Sequence, residues 1–228
     1  MMRVAIHQPN FLPWPGYFAK MAQADRFVLL DDAQFSRNNI INRVRILGPG
    51  APRWLTVAVG GHLGDPIDAV QPVDPGWAGR ALSLLRNTYG RAAHFRETWP
   101  ALEAWLLEVP AADLAAINVH LIARLATHLD IGTPLLRARG LGIEGRSDDR
   151  LVAIVASLAP GGTYLSGRGG SGYQDPAKFA AAGLDLAYYA FSAPEYDQGV
   201  APFQPGLSVI DALFHVGRCA TIRMVRGC

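Results

Sequence analysis

Cysteine is nearly absent from this chain of 228 residues. There are two, Cys219 and Cys228, both close to the C-terminal end. That pair makes neither a zinc spacing nor a disulfide framework, so free thiols are expected. Lysine is as scarce: Lys20 and Lys178 stand alone among 21 basic residues, the rest being arginine. This is read as a compositional bias, not as an adaptation to phosphate. No apolar run approaches the roughly 20 residues that cross a bilayer. The N-terminus lacks the basic region, apolar core and small-residue cleavage site of a secretory signal, and a cytoplasmic protein is expected. Charge of one sign is also missing: the formal net charge is +2 and the basic residues are scattered, unlike the clustered basic face of a nucleic-acid binder. HExxH, CxxC, GxSxG and GxxxxGK[ST] are all absent, which leaves the common zinc, hydrolase and P-loop fingerprints without support.

What remains is an ordinary globular composition, 50% hydrophobic and 18% charged, with a mean hydropathy of +0.13, long enough to bury a substantial core. The chain opens as strand (Arg3 to His7), turn, helix (about Pro15 to Ala24) and strand (Phe27 to Leu30). Pro15 falls where a helix tolerates a missing N–H. The apolar run of Phe27 to Leu30 is of the kind that buried parallel strands show. Val44 to Leu47 and Trp54 to Val59 read as a hairpin or two linked strands, and residues 60–76 as loop. From Trp77 to Asp130 the spacing predicts three helices: Trp77 to Tyr89, Phe95 to Glu108, and about Ala112 to Leu129. Alternation then returns, with a strand from Leu135 and a helix to Leu158 with Ser147 as its cap. A strand at Thr163 to Leu165, a helix between Asp175 and Gly183, a strand at Leu186 to Phe191 and a last helix from about Ser208 to Gly217 follow. This pattern predicts one α/β domain over residues 1–228, with an open, mostly parallel, Rossmann-like three-layer sheet and residues about 77–130 as a helical insertion or cover.

In such folds ligands sit outside the carboxyl ends of the strands, and polar residues gather there. His7 titrates near neutrality and suits general acid–base work. Gln8 and Asn10 offer donors and acceptors, while Trp14 and Tyr17 can stack on a flat group or a sugar. Taken alone, His7 reads as a bonded strand-end residue; the whole cluster reads as a site. Asp31 and Asp32 end the second strand and are candidate catalytic carboxylates, one of them equally a turn or cap residue. Gln34 to Arg43, with Asn42 and Arg43 at its end, is dense in amides and arginines suited to a carboxylate or phosphate, or is a polar surface loop. Ser166 to Gly172 is glycine-rich between a strand and a helix, and its Ser166, Gly167 and Gly169, with Tyr173 after them, can wrap an anion or form a plain turn. Tyr196, Gln198 and Asp211 complete the candidate ligand set. The remaining histidines read as structural or solvated.

At these residues the chain resembles the WbqC-like protein family. The likeness lies in His7-Gln8-Pro9-Asn10-Phe11-Leu12-Pro13-Trp14 with Gly16-Tyr17-Phe18. It continues through Asp25, Phe27-Val28, Asp31, Gln34-Phe35, Asn42-Arg43 and Trp54-Leu55-Thr56-Val57. Later matches are Tyr164-Leu165-Ser166-Gly167, Tyr173, Tyr196, Gln198, Phe203, Leu207 to Asp211, Leu213-Phe214 and Gly217. Pro15 stands where the family more often has an aliphatic residue. The resemblance implies a setting among O-antigen and other surface glycans, and work on an activated amino sugar or its acyl group.

The leading expectation is therefore a transferase that moves an acyl or aminoacyl group onto the amine of a nucleotide-activated sugar. His7 would deprotonate the amine and Asp31 or Asp32 would orient it. Asn10, Asn42 and Arg43 would hold the polar donor or acceptor, and the Ser166-to-Tyr173 loop a phosphate. The partners implied are a small-molecule substrate and an acyl or aminoacyl carrier. A nucleotidyl transferase of the HIGH-motif layout is the alternative, although the motif's second histidine is missing. A pathway binding protein without chemistry is the third. The composition is silent on cofactor, metal dependence and oligomeric state.

Overall fold

The structure, a computed structural model, describes residues 1–36, 39–62 and 64–227. Arg37 and Asn38 of the polar segment and the thiol of Cys228 lie outside the described residues. The chain begins β1 (Arg3–His7), α1 (Pro15–Ala22), β2 (Arg26–Leu29), as its apolar pattern predicts. It ends with β7 (Leu135–Arg137), α5 (Ala138–Leu141), α6 (Ser147–Leu158), β8 (Thr163–Gly167), α7 (Pro176–Ala181), β9 (Asp185–Tyr189) and α8 (Val209–Arg226). Five of these strands form one sheet in the order β7-β2-β1-β8-β9, with every pairing parallel. This is an open, Rossmann-like α/β fold.

The sheet is buried on both faces, which is why its central strands read as unbroken apolar runs. Val4, Ile6 and Val28 pack with Ile154, Val155 and Phe179 on one side. Ala5, Phe27 and Leu29 point the other way, into a larger apolar cluster shared with Tyr17, Phe18, Leu85, Leu121 and Phe214.

Between β2 and β7 lie two small antiparallel ladders and three helices. β3 (Arg43–Ile46) and β4 (Arg53–Thr56) form a hairpin apart from the main sheet. The strand expected from Trp54 to Val59 ends at Thr56, and β5 (Val59–Gly60) pairs with β6 (Gln71–Pro72) across the stretch from residue 60 expected to be loop. Helices α2 (Trp77–Tyr89), α3 (Phe95–Leu107) and α4 (Leu114–His128) follow. Their apolar faces, through Leu85, Leu102 and Leu121, join the larger cluster.

Two local expectations are corrected. Ser147 is not a side-chain cap: it is already inside α6 with left-handed backbone (φ 48°), and no side chain caps that end. Asp148 and Asp149 do supply the negative charge that a first turn favours. The last helix does not stop at Gly217 but bends there (φ 76°, ψ 173°) and resumes to Arg226. The bend needs glycine, because a Cβ would meet the His94 ring at 2.6 Å. Beyond it Thr221 and Val225 are buried again, and the Thr221 hydroxyl donates to the Gly217 carbonyl at 2.8 Å.

The turn after β1 is held from outside. Asn118 of α4, fully buried, donates through Nδ2 to the carbonyls of Pro9 and Ile41, both at 2.8 Å. An Asn118→Ala substitution strips both buried carbonyls of their donor, so a loss of about 2–4 kcal/mol in urea unfolding is expected. Asn118→Asp, which sets an acceptor against two acceptors, should cost more.

Candidate functional site

In the order β7-β2-β1-β8-β9 the chain leaves β1 toward one edge and later returns on its other side at β8. The carboxyl ends of β1 and β8 therefore flank the topological switch point, where open parallel sheets leave a crevice. His7 and Gln8 lie at the end of β1, and Ser166 and Gly167 at the end of β8. The crevice comprises two cavities, of about 390 and 450 Å³. Both are lined by His7, Lys20, Gly167 and Gly169. Trp14, Tyr17 and Tyr189 complete the first; Gln8, Ser166, Tyr173 and Gln174 the second.

The His7 ring is fixed by its neighbours. Nδ1 lies 3.1 Å from the Gln8 carbonyl oxygen, which also accepts from the Tyr17 hydroxyl at 3.2 Å. A carbonyl only accepts, so Nδ1 carries the hydrogen and Nε2 keeps its lone pair. Tyr17 packs edge-on against the ring at 4.8 Å. Burial, then the charge of Lys20, push the imidazole down to about 3, against a smaller upward pull from the Gln8 carbonyl. His7 is thus a neutral acceptor at physiological pH.

Lys20 is the residue that reading the sequence missed. It sits on α1, every residue of which is buried from Pro15 to Met21, and is itself 4% exposed. Its Nζ donates to the Ile6 carbonyl at 3.1 Å and lies 5.7 Å from the centre of the Phe27 ring. Burial pushes its ammonium down from 10.5 to about 7. The available signal was its rarity: a lysine kept on an apolar helix face in a chain that otherwise uses arginine.

The glycine-rich segment continues β8 into a 3₁₀ turn, Arg168–Gly172. Gly170 lets the turn pack closely, since a Cβ there would lie 2.4 Å from the Ser166 hydroxyl and 2.6 Å from Gln174 Oε1, and both side chains would have to shift. Helix α7 starts only at Pro176, and Asp175 caps its first-turn amide. The turn itself, not that helix end, faces the crevice. Gln174, also unsuspected, is buried there with its Oε1 unpartnered.

The other candidates lie elsewhere. Both oxygens of fully buried Asp31 are engaged, by Nε of Arg137 and by the backbone N–H of Arg139 at 3.1 Å. Asp32 pairs with Arg150 at 2.6 Å. With Gln34 it lines a neighbouring cavity of about 630 Å³ that meets the crevice at Leu30 and Leu151. The hydrogen bonds of these carboxylates thus run to arginines, and the Gln8 carbonyl orients His7. Asn10 borders a further cavity of about 430 Å³ with Trp14, Arg45 and Trp54. Both polar atoms of its buried amide are unpartnered. Trp14 lines this cavity and the crevice alike, separating the two. Asn42 is buried and donates to the Val57 carbonyl at 3.0 Å, while the Arg43 guanidinium lies 4.1 Å over the Trp54 ring. Tyr196 and Gln198 both donate to Asp211, at 2.7 and 2.9 Å. Gln198 also pairs with the backbone of Gln204. That network staples residues 196–204 to α8, away from His7.

The model of the WbqC-like protein family matches residues 8–222. A protein of Mycobacterium tuberculosis described as "Uncharacterized protein Rv1507c" is 30% identical over 220 residues, covering 95% of each chain. Among the described residues no helix is long and apolar enough to cross a membrane. No group of three or more His, Cys, Asp or Glu side chains among them is placed to hold a metal ion.

The electrostatics give two expected outcomes. With only two lysines, ¹³Cε-lysine NMR should resolve both: Lys20 titrating near pH 7, and Lys178, raised by its bond to Asp149, above the ordinary 10.5. Two midpoints above pH 10 would contradict the burial of Lys20. His7 bears on acid stability. Between its ordinary 6.5 and about 3 the unfolded chain binds a proton at His7 that the folded chain refuses. Stability from this group is therefore lost as pH falls through that window. A His7→Gln variant should show a shallower loss of stability over the same range in urea titrations.

Proposed function

The chain belongs to the WbqC-like protein family, and from that membership and the crevice we propose that it is a cytoplasmic transferase of surface-glycan synthesis. It moves an acyl or aminoacyl group from a carrier to the amine of a nucleotide-activated sugar. The observation that carries this reading is the free Nε2 of a neutral imidazole at the switch point, held by the Gln8 carbonyl and Tyr17.

In the reaction the sugar nitrogen bonds to the acyl carbonyl carbon, the bond from that carbon to the carrier breaks, and the nitrogen releases one proton. Nε2 of His7 accepts the amine's hydrogen bond, aims its lone pair at the carbonyl and takes the proton as the bond forms. The departing carrier atom then receives it. Gly167 and Gly169 supply backbone amides to a phosphate of the sugar nucleotide, with Ser166 and Tyr173 beside them. Trp14 covers the crevice. Asn10, Asn42 and Arg43 flank the entry used by the carrier. Asp31 and Asp32 act as positioning residues through the arginines they hold. Tyr196, Gln198 and Asp211 support the wall behind Tyr189.

The test is a panel of nucleotide-linked amino sugars with acyl-coenzyme A and aminoacyl donors, product being followed by mass. Turnover on one pair, with kcat/KM lowered about 100-fold or more by His7→Gln, is the expected result. Full turnover in His7→Gln removes the imidazole from the chemistry. Pyrophosphate release from Mg-ATP in place of acyl transfer would make the protein a nucleotidyl transferase. Binding without turnover would make it a pathway binding protein.

A further inference from the structure

Lys20 is a buried base without an acid. Buried ammonium groups in folded proteins are paired, because removing a charge from water costs several kcal/mol that only a nearby counter-charge offsets. Among the described residues Lys20 forms no ion pair, and its hydrogen bond goes to the neutral Ile6 carbonyl. The groups around it repeat the pattern. Among the described residues no aspartate or glutamate lines either crevice cavity. The titratable and charged groups facing it there are His7 from β1, Tyr17 from α1, Tyr164 from β8, Arg168 and Tyr173 from and just after the glycine-rich turn, and Tyr189 from β9. The chain's nearby carboxylates are committed elsewhere, Asp31 to Arg137 and Asp32 to Arg150. Among the described residues the crevice presents a lysine, an arginine and a glycine-rich turn and no acidic side chain, surroundings suited to an anion.

We propose that Lys20 is the receptor for a phosphate anion of the substrate and takes up a proton from solvent as that anion enters. Empty, the buried amine stays largely uncharged above neutrality. The anion supplies the missing counter-charge, favours the ammonium and draws one proton onto Nζ. A consequence follows for His7. A Lys20 charge alone would hold the imidazole lower. Because the ammonium forms together with the anion that pairs it, charging Lys20 does not push Nε2 further down. This rests on the crevice being the substrate site, but not on acyl transfer taking place there.

Sulfate is the first probe, because its charge is constant between pH 6 and 9, so any pH dependence belongs to the protein. Its affinity, measured by calorimetry, should fall about tenfold for each pH unit above 7. At pH 8, titrations in buffers of different ionisation enthalpy should report close to one proton taken up. UDP and coenzyme A should behave alike if they present a phosphate to Lys20, while uridine, which has none, should show no proton uptake. Saturating UDP should move the Lys20 ¹³Cε titration upward by about two units or more. Lys20→Met, which replaces a buried charge by an apolar chain of similar length, should fold at least as well as the parent. It should bind sulfate and UDP weakly and without pH dependence. Affinities that are flat with pH and unchanged in Lys20→Met, or a Lys20 signal unmoved by saturating UDP, overturn the proposal. Proton-linked binding without any sugar turnover would leave it standing and remove the transferase reading. Turnover on a phosphate-free acceptor, unaffected by Lys20→Met, would do the reverse.

Discussion

The crevice depends on how the turn between β1 and α1 satisfies its backbone. From Pro9 to Pro13 the chain runs through two prolines with no strand or helix to receive its carbonyls, and buried backbone groups without partners are costly. The partners come from far away in sequence. Asn118 takes the Pro9 carbonyl, the Ser208 hydroxyl takes that of Leu12 at 2.7 Å, and the Val209 N–H takes that of Pro13 at 2.9 Å. The Phe11 N–H donates to the Ile40 carbonyl at 3.1 Å. Leu12 sits at φ 41°, a conformation that a leucine holds only when its surroundings impose it. The helical block and α8 are thus clamps on the loop that places His7, Asn10 and Trp14, as well as covers for the sheet.

The same burial decides the electrostatics. α1 is so enclosed that Lys20 and Tyr17 are withdrawn from water with it. Desolvation then lowers the two bases, His7 and Lys20, and raises the Tyr17 phenol. Around His7 and Tyr17 neutral donors and acceptors result, beside a lysine poised near neutrality. The carboxylates that might have compensated stand one strand over, each bound to arginine. Acid and base are thus separated, and the side chains around Lys20 carry no carboxylate among the described residues.

Much of the architecture was legible along the chain. The apolar runs at Val4–Ile6 and Phe27–Leu29, the helical spacing of Leu121 and Leu125, and Pro15 at a helix start each carry a local physical preference that the fold respects. The placement of His7, Gln8, Gly167 and Gly169 followed too, because carboxyl ends of parallel strands converge by construction. Three features were not legible. Ser147 looks like a cap but has a left-handed backbone. Gly217 looks like a terminator, yet the apolar residues beyond it draw the helix onward. The arginine side chains that pair with Asp31 and Asp32 come from β7 and α6, segments more than a hundred residues away.

Local periodicity, proline and glycine placement and the polar run after β1 determined the elements, the parallel sheet and the end of it where a ligand would bind. Those are short-range properties, carried by each segment's own residues. Tertiary structure alone decided which polar groups share a volume: Lys20 beside His7, Asn118 beneath the turn, and Tyr196, Gln198 and Asp211 drawn into a network of their own. Contacts of that kind depend on packing between segments more than a hundred residues apart, as Asn118 and Pro9 are, and burial there sets charge states that no residue's own chemistry announces.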